Sequence, residues 1–348
     1  MRLAAFLLLV VGLVFGPRIA NAASGFNQPG NILITDQFNN RVIEIDPTGN
    51  IVWQFGNGPG DTSANAIVGT NDAERVGNDT LMSGTGIPAG ATTNCKKGCV
   101  DNRVILVDQS GNIVWQYGQF GVTGFGPNQL NTPVQNTFLP SGNVLITDQG
   151  NQRIIEVRPA DKAIVWQYGQ NGVAGNGRNQ LSNPNAAELL ANGHILISDE
   201  NNNRAIEVTH TTPSHIVATF TARGTVSGMA FASRLANGNT LLTDSNNNRI
   251  VEVDSSDNPV WQYFTNTRPG SNPSPLPTRA VRLANGNTLI SDQFNDQVIE
   301  INPAKVIVAS YGTINDPGFS SKTAVEMNAP YSAYVIGDYT GITPPTGF

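Results

Sequence analysis

One unit recurs along this chain, and it constrains the fold more than any other feature. Gly30-Asn-Ile-Leu-Ile-Thr-Asp36 is followed by Asn39-Asn40-Arg41-Val-Ile-Glu44-Ile and then by Gly49-Asn-Ile-Val-Trp53-Gln-Phe-Gly56. The pattern returns at 142–169, 193–220, 238–264 and 286–312, with a degenerate copy over 77–118. Each copy holds three short runs dominated by Val, Ile, Thr, Trp and Tyr, divided by Asn/Gly or Asp-x-x-Asn turns. That is strand chemistry. A fourth run precedes the unit at 134–139, 185–190, 230–235 and 278–283, and more weakly at 71–76. We name the four runs A to D in chain order. Strand C is marked by Arg41, Arg103, Arg153, Arg204 and Arg249, with Gln297 in the sixth copy. Four antiparallel strands, six times, at about 50 residues each, describe an all-β six-bladed propeller. A single blade has two apolar faces and becomes stable only by packing on its neighbours.

Closure of the ring is also legible. The stretch 24–29 is too short for a strand A, so the first unit begins at strand B. Residues 329–336, Ala-Pro-Tyr-Ser-Ala-Tyr-Val-Ile, align with 183–190, Asn-Pro-Asn-Ala-Ala-Glu-Leu-Leu. The C-terminus is therefore expected to supply strand A of blade 1 and so remove an open sheet edge.

Composition agrees. With 36 Gly and 21 Pro, turns must be frequent and long helices rare. A formal charge of −6 argues against nucleic acid as a partner, because a phosphate binder needs a basic surface. Residues 1–22 read as a signal peptide: a basic Arg2, an apolar run from Leu3 to Phe15, and a small-x-small end at Ala20-Asn21-Ala22. The run is too short to span a bilayer, which needs about 20 apolar residues. The expected product, 23–348, is one propeller domain, soluble and secreted or periplasmic. Cys95 and Cys99 are the only cysteines. In an exported chain they are expected to form a local disulfide within an 84–100 insertion in blade 2. Two thiols without a nearby His make a poor zinc site.

The repeat resembles the NHL family of propellers over nearly the whole expected mature chain. The matching residues are Asn128-Gln129-Leu130 before Pro133, Asn179-Gln180-Leu181 before Pro184, and the Asp-x-x-Asn-x-Arg motif of Asp148/Asn151/Arg153, Asp199/Asn202/Arg204 and Asp244/Asn247/Arg249. The closing Val-Trp-Gln-Tyr-Gly is also similar to repeats of bacterial arylsulfotransferase propellers. The resemblance implies a fold. It does not choose between the binding modules, lyases and metal-dependent hydrolases that the fold hosts.

Residues repeated in nearly every blade read as scaffold. They are the Asp/Arg pairs Asp36/Arg41, Asp148/Arg153, Asp199/Arg204 and Asp244/Arg249. The strand C glutamates Glu44, Glu156, Glu207, Glu252 and Glu300 belong with them, as do Trp53, Trp115, Trp166 and Trp261 on strand D. Blade 2 departs twice, with Gly84 at the Asp position and Leu106 at the Glu position. A specific site needs unlike residues converging. Unlike polar residues on the innermost strands are therefore the candidate channel-mouth ligands: Asp72, Glu74, Arg75, Gln135, Asn136, Asn185, Glu188, Arg234, Arg279, Arg282 and Tyr331.

The long links, D to A between blades and the 84–100 B–C insertion, emerge on one face, where ligands are expected. The favoured reading is a binding module for an extracellular or periplasmic protein, glycan or small molecule. No cofactor is required, and the oligomeric state is open. The alternative is a calcium-dependent hydrolase of the lactonase or esterase kind. Glu74, Asn136, Asn185 and Glu188 would be its oxygen ligands. His194, His210 and His215 are expected away from the channel, which disfavours a zinc lyase or a histidine nucleophile.

Overall fold

The computed structural model describes residues 25–340 and 342–344. The expected signal peptide lies outside them. Among the described residues there are six four-stranded antiparallel sheets. The helical elements are single 3-10 turns of three residues, and among the described residues no helix is long and apolar enough to cross a membrane. Strands A to D of blades 2 to 6 follow chain order. Blade 2 is Thr70–Val76, Asp79–Gly84, Arg103–Val107 and Ile113–Gly118. The remaining inner strands are Pro133–Phe138, Pro184–Leu189, Met229–Arg234 and Arg279–Arg282, each within a residue or two of its expected run.

Blade 1 is built from both ends of the chain. Its strand A is Pro330–Val335, which pairs antiparallel with Ile32–Asp36. Arg41–Ile45 and Ile51–Phe55 complete the sheet. Ile32 opposes Val335 and Leu33 opposes Tyr334. The backbone bonds Gly30 N to Ile336 O (2.9 Å) and Ile336 N to Asn31 O (2.8 Å) extend the clasp. The tail thus covers what would be an open edge.

The core is a ring of interfaces. One apolar cluster fills each gap between neighbouring blades: Ile43 with Val298 between blades 1 and 6, Val42 with Ile105 between 1 and 2, Val104 with Ile146 between 2 and 3, and so on around the circle. The tryptophans serve these seams. The indole N–H groups of Trp53, Trp115 and Trp166 donate to Gln109, Pro159 and Thr211 carbonyls, each in the C–D turn of the next blade (3.1–3.2 Å). Lys305 sits over Trp261.

The Asp-x-x-Asn-x-Arg motif ties each B–C turn. Asp36–Arg41, Asp148–Arg153, Asp199–Arg204 and Asp244–Arg249 pair at 2.6–2.8 Å, and all four carboxylates are fully buried. The motif Asn donates to the same carboxylate, as Asn151 does to Asp148 at 2.8 Å. The second carboxylate oxygen accepts a backbone N–H from the D–A link, as from Asn131 to Asp148 (2.8 Å). The two blades that break the motif rebuild the pair from elsewhere. In blade 2, Asp101 lies where a side chain on Gly84 would have to go, 2.4 Å from an ideal Cβ, and it pairs with Arg103 at 2.5 Å. In blade 6, where Gln297 replaces Arg, the D–A link sends Arg268 to Asp292.

The strand C glutamates form a second set of seams. Glu44 pairs with Arg75, Glu207 with Arg234 and Glu252 with Arg282, at 2.6, 2.8 and 3.1 Å. Each arginine sits near the end of strand A in the next blade. Between blades 2 and 3 both charges are replaced together, and Leu106 and Phe138 share one apolar cluster. Leu106 is thus half of a hydrophobic exchange. Glu156 instead accepts from His210, at 2.7 Å.

Candidate functional site

The innermost strands enclose a channel, and its contents are arranged in levels. At the mouth on the D–A/B–C face, four residues that each open a 3-10 turn, Gln37, Gln149, Glu200 and Gln293, border the opening. Gln293 donates to Gln37 (2.8 Å), and Gln37 donates to Asn71 (2.7 Å). Across the mouth, the Tyr331 hydroxyl donates to Asn185 Oδ1 (2.9 Å), which also accepts from Gln149 (3.2 Å). Glu200 completes this side, taking Asn183 Nδ2 at 2.9 Å. Half-buried Phe38 and Phe294 stand 6.4 Å apart beside the Gln37–Gln293 pair.

Below the amides lies an ionic level. Arg279 pairs with Asp72 at 2.5 Å, lies over Phe231, and reaches Glu188 Oε1 at 3.6 Å. Gln135 donates to Glu188 Oε1 (2.5 Å) and accepts Ala187 N–H (2.7 Å). Asp72 also accepts Asn136 N–H (3.2 Å), and Glu74 accepts Phe138 N–H. Burial pushes the Asp72 and Glu188 carboxyls above their usual range. Glu74 is held well above it by burial, and further by repulsion from Asp72 and Glu188. The space left among the six strands here is about 10 Å³, room for about one water.

The structure therefore gathers Asp72, Glu74, Gln135, Asn185, Glu188, Arg279 and Tyr331 in the channel. It places Arg75, Arg234 and Arg282 elsewhere, in equivalent positions at the blade seams. All three hydrogen-bond the strand B threonines Thr80, Thr240 and Thr288 as well as their glutamates. Asn136 occupies the position that is alanine in the other blades (Ala73, Ala187, Ala232, Ala280 and Ala333 hold the same register). The four proposed calcium ligands do not converge. Asn185 Oδ1 is engaged at the mouth, and Glu188 is engaged by Gln135 and by the C-terminal segment. Among the described residues no group of three or more His, Cys, Asp or Glu is placed to hold a metal. The histidines lie in the A–B and C–D turns, where His194 bonds Glu207 and His210 bonds Glu156.

Sequence reasoning missed the rim residues Gln37, Gln149, Glu200 and Gln293. Their signal was present: where the repeated Asp is kept, the residue after it is polar in every blade, Gln in three, Glu in blade 4 and Ser in blade 5. Glu200 is the one acid of that rim, and burial pushes it up to about 7. A carboxyl whose folded value is raised contributes stability that is complete below its unfolded value and is lost as pH rises through about 7. Melting temperature should therefore rise as pH falls from 8 towards 5. Glu200→Gln should flatten the part of that rise near pH 7. An unchanged profile would mean that the carboxyl is solvated.

The structure confirms the Cys95–Cys99 disulfide in the blade 2 insertion, where Cys95 packs with Val68 and Ile87. A larger concavity than the space in the channel lies on the other face. It is a groove of about 690 Å³ beside the A–B turns of blades 4 and 5.

The geometry defines a six-bladed β-propeller with a filled channel, and solved structures agree on the fold. No protein-family model matches the chain, and no curated protein is significantly similar to it. It is similar in fold to virginiamycin B lyase from Staphylococcus aureus (15% identity, TM-score 0.52, 82% of each chain covered). A streptogramin B lyase matches with 14% identity and a TM-score of 0.53, over 81% of this chain and 79% of that one. A protein of unknown function from Bacteroides caccae matches with 14% identity and a TM-score of 0.58, over 88% and 98%. Identities this low establish shared architecture alone.

Proposed function

We propose that the protein is an exported, NHL-like recognition module that takes an extracellular or periplasmic protein or glycan on its long-loop face. The carrying observation is where large apolar side chains meet water. Among the described residues, Val100, Val122, Phe125, Val173 and Phe319 are exposed in the blade 2 insertion and the D–A links, while the others lie on or beside the outer strands and, as Val325, beside the C–D turn of blade 1. None lies in an A–B turn. Phe125, 60% exposed, stands on the link after blade 2, and Val173 holds the place of Val122 on the next link. Exposed apolar loop residues on a rigid scaffold mark interaction surfaces. The filled channel supports surface recognition over a deep substrate pocket. The disulfide supports export.

The test is capture from the native extracellular milieu. Replacing Val122, Phe125 and Val173 together by Ser should cut recovery of the captured ligand roughly tenfold or more, as loss of a hot spot does. The melting temperature should stay near that of the parent. Equal recovery by the triple variant would refute the reading.

The calcium-dependent hydrolase makes an opposite prediction. Millimolar calcium should raise the melting temperature if the ion has a site in the native state. The non-converging oxygens in the channel lead us to expect no shift.

A further inference from the structure

The end of the channel opposite the amide rim is closed by the chain's own last described residues. Beyond the clasp, Asp338 accepts the Ala284 N–H (2.8 Å) in the A–B turn of blade 6. Ile342 enters the channel and packs on Ala186, Phe231 and Val281. Thr343 N–H and Oγ1 both donate to Glu188 Oε2, at 2.9 Å each. Leu189 N–H donates to Thr343 Oγ1 at 3.0 Å.

These contacts have the form of a ligand in a site. The segment belongs to no sheet. It is held by one apolar side chain in an apolar socket and by a buried carboxylate, and Gln135 already takes the other oxygen of that carboxylate. Strand A of blade 4 has its inner edge unpaired, so Leu189 offers backbone groups to an extended chain as a sheet edge does. Thr343 and Pro344 line a groove of about 690 Å³ together with Leu190, Leu235 and Arg234, a volume in the range of ligand pockets.

We propose that the A–B mouth of the channel is a binding site for an extended peptide with a β-branched apolar residue followed by Thr or Ser. Residues 342–344 occupy it as a built-in competitor. The site lies on the face opposite the long loops and stands independently of recognition there.

The probe is a fluorescent peptide with the sequence of residues 339–345, Tyr-Thr-Gly-Ile-Thr-Pro-Pro. A chain ending at Asp338 keeps the clasp and should bind it saturably. The full chain should bind it about tenfold more weakly or worse, because the tethered segment competes at high effective concentration. Replacing the peptide's Thr by Val should cost about tenfold, since it removes a hydrogen bond to a buried carboxylate. No saturable binding to a folded truncated chain, or equal binding of the Val peptide, overturns the proposal. If the truncated chain does not fold, the full chain carrying Ile342→Asp and Thr343→Asp replaces it. Repulsion from Glu188 should eject the segment. That variant must bind the peptide more tightly than the parent, and equal or weaker binding overturns the proposal.

Discussion

A chain ending at residue 329 should fail to fold cooperatively. The deletion removes the whole inner strand of blade 1, Pro330–Val335. It strips Ile32–Asp36 of one hydrogen-bonded neighbour. It also empties two seams at once, because Ala333 fills the blade 1–6 cluster while Tyr334 and Ile336 fill the blade 1–2 cluster. Arg75 loses the Tyr334 hydroxyl, which accepts its backbone N–H. Fully burying a large side chain is worth about 1.5–3 kcal/mol. The total therefore rivals the roughly 5–15 kcal/mol of net stability that a native domain has. Urea unfolding followed by circular dichroism should show no cooperative transition for the truncated chain. A circular permutant that places 329–344 ahead of residue 25 should restore it, since the strand order is unchanged. A truncated chain melting within a few degrees of the parent would show that the clasp is dispensable.

The second large effect comes from a single buried charge. Arg153→Met should cost about 3–5 kcal/mol, because Asp148 is left ionised and unpaired in the interior. Both groups are essentially inaccessible to solvent, and the pair closes at 2.7 Å. Burial already holds the Asp148 carboxyl above its usual range even with Arg153 beside it. Without the arginine it should rise further, so the deficit should shrink as pH falls and the carboxyl takes a proton. Adding Asp148→Asn should recover part of the loss at pH 7. If the double variant is as unstable as Arg153→Met, the cost is lost packing rather than an orphaned charge.

Periodicity carried the sequence reading far because each strand reports itself locally. The apolar strand C run recurs in all six blades and Val-Trp-Gln in four, and with the turn residues between them and the near-constant spacing they repeat one message along the chain. The clasp was readable for the same reason, since 329–336 aligns with an internal inner strand. The candidate site was less legible. Strand alternation locates a polar residue on the inner strand but does not distinguish the channel from the seam. Asp72 and Arg279 meet in the channel, whereas Arg75, Arg234 and Arg282 turn to the glutamates of the preceding blade. Asp101 stands at the motif's Asn position, two residues before Arg103, so its place gave no sign that it replaces the missing Asp, and Arg268 reaches Asp292 from a D–A link, which has no period.

The sequence by itself determined the number of blades, the order of strands within each and the origin of the closing strand. All of these follow from hydrophobic patterning and turn chemistry that act over a few residues. The tertiary structure alone decided what fills the centre. Which side chains meet across the axis depends on how six sheets converge, so residues as distant as Asp72 and Arg279, or Glu188 and Thr343, become neighbours only when the ring closes.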